Sequence, residues 1–506
     1  MEAGTQQSNA APEMVDAVHG GHYQLASNAL GLSGVLFCIV TGAAPIAAML
    51  FNTPWAVYGA GYAAPASFIV ATVVLTIFSV GYIEMARRVS AAGGFYSFVS
   101  HGFGQVMGLG TAVTITLCYV IFTGSVTGVT SYFANTTIEA WIGPDIPVYL
   151  ISAFTIALMA MLAFFHIEVT ARILGICLIS EVAACMIFGV LTLFGGGADG
   201  IPLKALNPTE IFASNNTALG AAGVAMFAAF WSWVGFEMAP NYAEESRDPH
   251  RIMGPATYVS VIGLGIFYVF ISWMLVAGWG TANVSAAVES QFSGEIASIF
   301  YPLTTEFGRP LTWAFQLFIV TGSFACQMAF FNTSCRYFYS MGRERIIPET
   351  FGKTHPEHRS PYMAAMLTTV LVAGFVLGFT LYDSSTLGSI LKLGTWGPLM
   401  GMLGILAVQT LTSLAIIKYF WTTARDGFSW WKTLVAPLLG GAGCVVAGVL
   451  MMQNRTTLAG GNPLYIEFIW VPIVLFFATG VGMALYYRSN DPQRYAAIGR
   501  FVHQDA

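Results

Sequence analysis

The chain has 506 residues, of which 56% are hydrophobic and only 9% charged, and its net charge is −5. A soluble domain carries about 25% charged residues, so this makeup leaves no polar coat and excludes an ordinary water-soluble globule. The seven cysteines all fall inside apolar segments, which argues against a disulfide framework or zinc site and reads them as small packing residues.

Residues 1–24 are polar and contain Glu2, Glu13 and Asp16, unlike the basic start of a secretory signal; a flexible tail is expected there. From Ala29 to Ile83 no side chain is charged. At about 20 residues per crossing, spans are predicted near 30–58, 66–86, 104–133, 147–165, 170–194, 217–240, 256–279, 311–341, 361–382, 386–419, 431–452 and 464–487, twelve in all. The 386–419 segment is long enough to be tilted or bent. The fold class is therefore an all-α membrane protein with both termini on one side. Alternating the connections leaves only Lys204, Arg309, Lys392 and Arg455 on one side and the other sixteen of the 20 Lys and Arg on the opposite side. That second side, with both termini, is then cytoplasmic by the positive-inside rule, and the expected location is the inner (plasma) membrane.

The first span is interrupted at Thr41-Gly42-Ala43-Ala44-Pro45, roughly halfway along. Hydrocarbon offers no water to a backbone freed from its helix, so irregular backbone at that depth must be buried in protein or line a cavity. A second interruption, Ser232-Trp233-Val234-Gly235, lies in the sixth span. Either break alone is also what a kinked, packed helix would give; two at corresponding positions point to a transporter's binding site. Residues 25–195 and 217–420 each hold five spans and begin with an interrupted one. An odd number inverts the second repeat relative to the first, with 196–216 as the outer loop between them. Two further spans occupy 421–487, and 488–506 form a cytoplasmic tail.

A zwitterion in low dielectric needs partners for both charges. Carbonyls near Val40, Thr41, Trp231 and Val234 suit an ammonium, and amides freed at Gly42, Ala43 and Ala44 suit a carboxylate. Gly235 completes the second break. Pro45 removes one donor, which keeps an amine without a carboxylate as an alternative substrate. Tyr119, mid-way along the third span, is a candidate to approach from the opposite side. Glu181 sits mid-way through the fifth span, where an ionisable residue is by default a functional hypothesis. Lys392, near the outer end of the tenth, either snorkels outward or influences an outer gate.

Three motifs carry a family resemblance. Ala91-Ala92-Gly93-Gly94-Phe95-Tyr96-Ser97-Phe98-Val99 resembles the second-to-third-helix loop of the amino acid–polyamine–organocation transporters. Phe230 to Glu237, followed by Glu244-Glu245-Ser246-Arg247-Asp248-Pro249, resembles that family's sixth helix and its cytoplasmic exit. Asn332 to Arg343, running through Ile347-Pro348 into Ser360-Pro361, is similar to its eighth helix and the approach to its ninth.

The resemblance implies uptake or exchange of amino acids or amines by alternating access, without nucleotide hydrolysis; no G-x-x-x-x-G-K-[ST] phosphate loop is present. Family members often carry Gly-Ser-Gly or Gly-Ala-Gly where this chain ends in Ala44-Pro45. Trp231 matches the aromatic that covers substrate in the arginine–agmatine antiporter, and an indole face holds an apolar or a cationic side chain. Glu237 matches a family acidic position. Glu181 stands where several members place a lysine beside the first and eighth helices, and where sodium-coupled relatives hold an ion. Desolvation favours the neutral acid at Glu181, so proton exchange is expected; a sodium ion would favour the carboxylate.

The expected partners are thus a small-molecule amino acid or amine, a proton or sodium, and the lipid bilayer. No cofactor, metal or nucleic acid is expected, and the oligomeric state is open. A sensor or channel built on a transporter fold is the outside alternative. No nucleophile–base pair argues for an enzyme.

Overall fold

The computed structural model describes residues 31–89, 93–164, 167–213, 222–358, 360–383, 386–461 and 464–499. The tail read over 1–24, and Ala91 and Ala92 of the first motif, lie outside them. Among the described residues the chain is helical with no strand.

The first apolar stretch, Leu32–Ala86, runs 55 residues. At about 1.5 Å per residue a straight helix of that length would be more than twice the roughly 30 Å of hydrocarbon. It divides instead. Helix α1 (Leu32–Ala43) is followed by α2 (Pro45–Ala47), a π-helical turn over Ala48–Asn52 and α3 (Thr53–Ala60). Gly61, at φ 57°, then turns the chain into α4 (Ala64–Ala86). Helix α5 (Phe95–Phe103) covers most of the first loop motif and leads into α6 (Gln105–Ile142), α7 (Val148–Leu162) and α8 (Ile167–Gly195).

Helix α9 (Ala222–Trp231) stops at the second break, beyond which Phe236–Glu245 winds as a 3-10 helix. Helix α10 (Pro249–Trp279) begins seven residues before the expected 256. Asp248 caps it, its carboxylate accepting from the Arg251 amide at 3.2 Å, and Pro249 fits the first turn, where no amide bond is lost. Helices α11 (Val284–Phe292) and α12 (Phe300–Glu306) lead to α13 (Arg309–Arg343) and α14 (Tyr362–Tyr382). Helix α15 (Thr386–Thr422) contains Pro398, and α16 (Ala436–Gln453), α17 (Arg455–Leu458), α18 (Leu464–Glu467), α19 (Val471–Asn490) and α20 (Pro492–Ala497) are the last helices among the described residues.

Ten of the described helical stretches are long and apolar enough to cross a membrane, Leu32–Ala86 counting once, and Val148–Leu162 is a shorter apolar helix. Helix α6 is the central post, packed by α13, α15 and α19. Its buried hydroxyls satisfy themselves on carbonyls one turn back, as in Thr123 to Tyr119 at 2.8 Å and Thr127 to Thr123 at 2.8 Å, so polar side chains cost little inside the bundle. Arg336, grouped above with the connections, is buried in α13 with its guanidinium 4.5 Å from the Tyr242 ring.

The two interrupted segments lie against each other in opposite directions. Helix α1 packs on the 3-10 segment after the second break, and α3 packs on α9 before it. The breaks meet where they cross.

Candidate functional site

The first interruption is tighter than the sequence suggested. Helix α1 continues through Gly42 and Ala43, and the chain leaves helical geometry at Ala44 alone, with φ 41° and ψ 75°. Left-handed backbone costs a non-glycine residue about 1–2 kcal/mol. Pro45 is the local cause: it disfavours helical geometry in the residue before it and offers no amide to the preceding turn. The Ala44 amide donates to the Val40 carbonyl at 3.0 Å and the Thr41 carbonyl at 3.1 Å. The amides of Gly42, Ala43 and Ala44 are therefore spent within α1 and its cap, contrary to the expectation that they would be free. Unpaired amides fall instead in the first turn after Ala44, where Ile46 and Ala47 lie.

The second break matches its expected place. Residues 232–235 turn, and Gly235 has φ 123°. A Cβ on Gly235 would come within 2.9 Å of the Gly42 carbonyl carbon and 3.0 Å of the Ala43 nitrogen. Glycine is required there by both the backbone angle and the close approach of the first break.

One hydroxyl ties the breaks together. Tyr268 of α10, fully buried, lies 2.8 Å from the Ala43 carbonyl and 2.9 Å from the Ser232 carbonyl, and its one proton is shared between the two acceptors. Nearby, Cys326 of α13 donates its thiol to the Gly42 carbonyl at 3.1 Å, and Asn52 donates to the Ser232 hydroxyl at 2.9 Å. Backbone freed by the breaks is thus matched with neutral donors inside the protein, as its depth in an apolar bundle demands.

Beside the crossing is a cavity of about 30 Å³, lined by Gly42, Ala43, Ala44, Ala47, Ala48, Phe51, Asn52, Val126, Val129, Trp231, Cys326 and Phe330. Of the residues singled out from sequence, Gly42, Ala43, Ala44 and Trp231 face it. Val40, Thr41, Val234 and Gly235 are absent from its wall and form the turns behind it. The Trp231 indole meets Phe51 edge-on at 5.5 Å and lies 5.5 Å from Phe227. Ligand pockets typically measure about 300–1,000 Å³, so the cavity is well below that size.

Tyr119 is also off the wall. Its hydroxyl donates to Glu237 Oε1 at 2.6 Å, and the Gly235 amide donates to Glu237 Oε2 at 3.1 Å. Tyr82 donates to the Glu237 backbone carbonyl at 2.7 Å. Tyr119 and Glu237 therefore belong to one buried cluster that ties α4 and α6 to the chain just past the second break.

Glu181 is separate from both. It is 2% exposed on α8, and Oε2 has no hydrogen-bond partner. A Cβ on Gly322 of α13 would lie 2.0 Å from that oxygen and 2.7 Å from Ile46, so the carboxyl occupies a notch that only glycine leaves open, against the first helix just past Ala44. Lys392 pairs with Asp383 and stands 5.2 and 5.4 Å from the Tyr382 and Trp396 rings, engaged away from the cavity.

Sequence reasoning missed Tyr268, Asn52, Cys326, Phe330 and Gly322. Asn52 had a signal, being an amide in a charge-free apolar run. Tyr268 sits in the aromatic run Phe267 to Phe270, where nothing marks one ring as polar.

A family model described as amino acid permease matches residues 30–479. Among curated relatives, the chain is 24% identical to the methylthioribose transporter of Bacillus subtilis (strain 168), over 71% of this chain and 74% of that one. It is 21% identical to the low-affinity putrescine importer PlaP of Escherichia coli (strain K12), over 85% and 88%. It is 23% identical to the branched-chain amino acid permease BcaP of Bacillus subtilis (strain 168), over 69% and 72%.

Proposed function

The chain belongs to the amino acid permease family of the amino acid–polyamine–organocation superfamily, a transporter and not an enzyme, and from that premise we propose that it moves L-amino acids across the membrane by alternating access, coupled to a cation. The observation that carries this reading is the crossing of the two broken helices beside a cavity.

We take Leu32–Ala86 as two spans and Val148–Leu162 as a further one, which with the other nine stretches makes twelve crossings. The antiparallel packing of the interrupted segments is what two inverted five-span repeats would produce. Both termini are then cytoplasmic, as the Lys and Arg distribution indicates.

In this reading the substrate ammonium takes the second lone pairs of carbonyls already held by neutral donors, those of Gly42, Ala43 and Ser232. The carboxylate takes the first-turn amides past Ala44, where the helix dipole favours negative charge. Val40, Thr41, Val234 and Gly235 shape these turns from behind, and Trp231 covers the substrate. Tyr119 and Glu237 hold the far side of the second break and are a second candidate proton site. Glu181, lodged between Gly322 and the first helix, is the coupling group: filling or emptying its site with a proton or sodium changes what α1 and α13 can pack against.

The test is competition in purified protein between an L-amino acid that binds and the amine made by its decarboxylation. The amino acid should protect against heating at the lower concentration, since a ligand that binds only folded protein stabilises it by mass action. Equal or better protection by the amine transfers the proposal to an amine permease.

A further inference from the structure

The lining of the cavity bears on which amino acids it accepts. Three rings (Phe51, Trp231, Phe330) and two aliphatic side chains (Val126, Val129) make up its bulk, with small residues of the first helix as its floor. No lining residue is acidic or basic. The two polar side chains in the wall are neutral: Asn52 gives one N–H to the Ser232 hydroxyl and Cys326 gives its thiol to the Gly42 carbonyl, and neither can supply a counter-charge.

The buried carboxylates nearby do not reach it. Glu237 accepts from Tyr119 and from the Gly235 amide, and Glu181 lies in its notch beside Gly322 and Ile46; neither lines the cavity. A substrate with a second ammonium, a guanidinium or a second carboxylate would bring a full charge into this chamber without a counter-charge, and desolvating an unpaired charge outweighs the attraction of an indole face.

We infer that the site selects L-amino acids with neutral, apolar side chains, aliphatic or thioether, and rejects dibasic and acidic amino acids and diamines. This deepens the amino acid reading above and rests on it. Backbone at the breaks handles the two charges common to every amino acid, while Phe51, Val126, Val129, Trp231 and Phe330 discriminate by the side chain.

The experiment is a thermal-shift titration of the full-length protein in detergent with L-valine, L-leucine, L-methionine, L-lysine, L-arginine, L-glutamate and putrescine, repeated on Val126→Asp. At least one apolar amino acid should reach half-maximal stabilisation at a concentration tenfold or more below every charged compound. In Val126→Asp the ratio of L-lysine to L-leucine potency should rise at least tenfold, because the new carboxylate supplies the missing counter-charge. If that variant does not fold, the panel on the unaltered protein decides. A charged amino acid matching or beating the apolar ones overturns this inference and leaves the amino acid reading standing. Stabilisation by putrescine alone overturns both, and so does no stabilisation by any of the amino acids at millimolar concentration.

Discussion

Tyr119 donates its hydroxyl to Glu237 at 2.6 Å. The bond joins the central helix α6 to the chain just past the second break, and it pairs two residues that the sequence marked for different duties. With the Gly235 amide on the other oxygen, it leaves the Glu237 carboxyl partnered on both sides while fully enclosed.

Tyr119→Phe removes that donor and adds no bulk. Leaving one side of a buried carboxyl without its hydrogen-bond partner costs about 1–3 kcal/mol, so the variant should unfold at lower temperature in detergent. Glu237→Gln should also destabilise, and the double variant should cost less than the two singles together, because both act on one contact. Additive losses would show that the pair does not act as a unit.

Tyr268→Phe should insert and fold yet lose much of its substrate affinity, about tenfold or more. The hydroxyl shares its proton between carbonyls on both breaks, and removing it deprives that buried pair of their common donor, at about 1–3 kcal/mol. Isothermal titration of the purified variant measures this. Wild-type affinity would mean that the breaks hold their geometry without Tyr268.

Much of this arrangement was legible in the sequence. Charge-free runs marked the long apolar helices, and Gly and Pro in their interiors marked both interruptions, because an apolar bundle tolerates few reasons for such residues. The details of the first break were not legible. Ala44-Pro45 announced an ending, but whether the helix would unwind over four residues or turn at one depended on the Gly42–Gly235 approach, a contact between residues nearly two hundred positions apart. The partner of Tyr119 was hidden for the same reason, and Tyr268 had no local signal at all. Glu181 stood out as a lone carboxyl in an apolar helix, whereas the notch at Gly322 that receives it appears only when α8 and α13 are packed together.

Trp231→Ala should weaken substrate binding by about 1–3 kcal/mol through lost stacking and burial, with the protein still inserted and monodisperse. The indole lines the cavity beside Phe51, with Phe227 packed against it from outside the lining. Unchanged binding would make it a packing residue.

Gly322→Ala should be destabilising, since its Cβ would fall 2.0 Å from Glu181 Oε2. In a Glu181→Ala background the same substitution should cost much less, limited to the contact with Ile46. Equal cost in both backgrounds would mean that the notch does not depend on the carboxyl.

Transport is measured in proteoliposomes loaded with an unlabelled apolar L-amino acid and supplied with the labelled one outside, with and without an inward proton or sodium gradient. The protein should drive a transient overshoot of label by exchange, and one of the two gradients should accelerate net uptake. Glu181→Gln should keep the exchange and lose the acceleration, because the amide mimics the neutral acid, with Glu237→Gln measured alongside as the competing site. No overshoot with any amino acid would contradict the proposed function, and a Glu181→Gln protein that responds to both gradients as the unaltered one does would contradict the coupling.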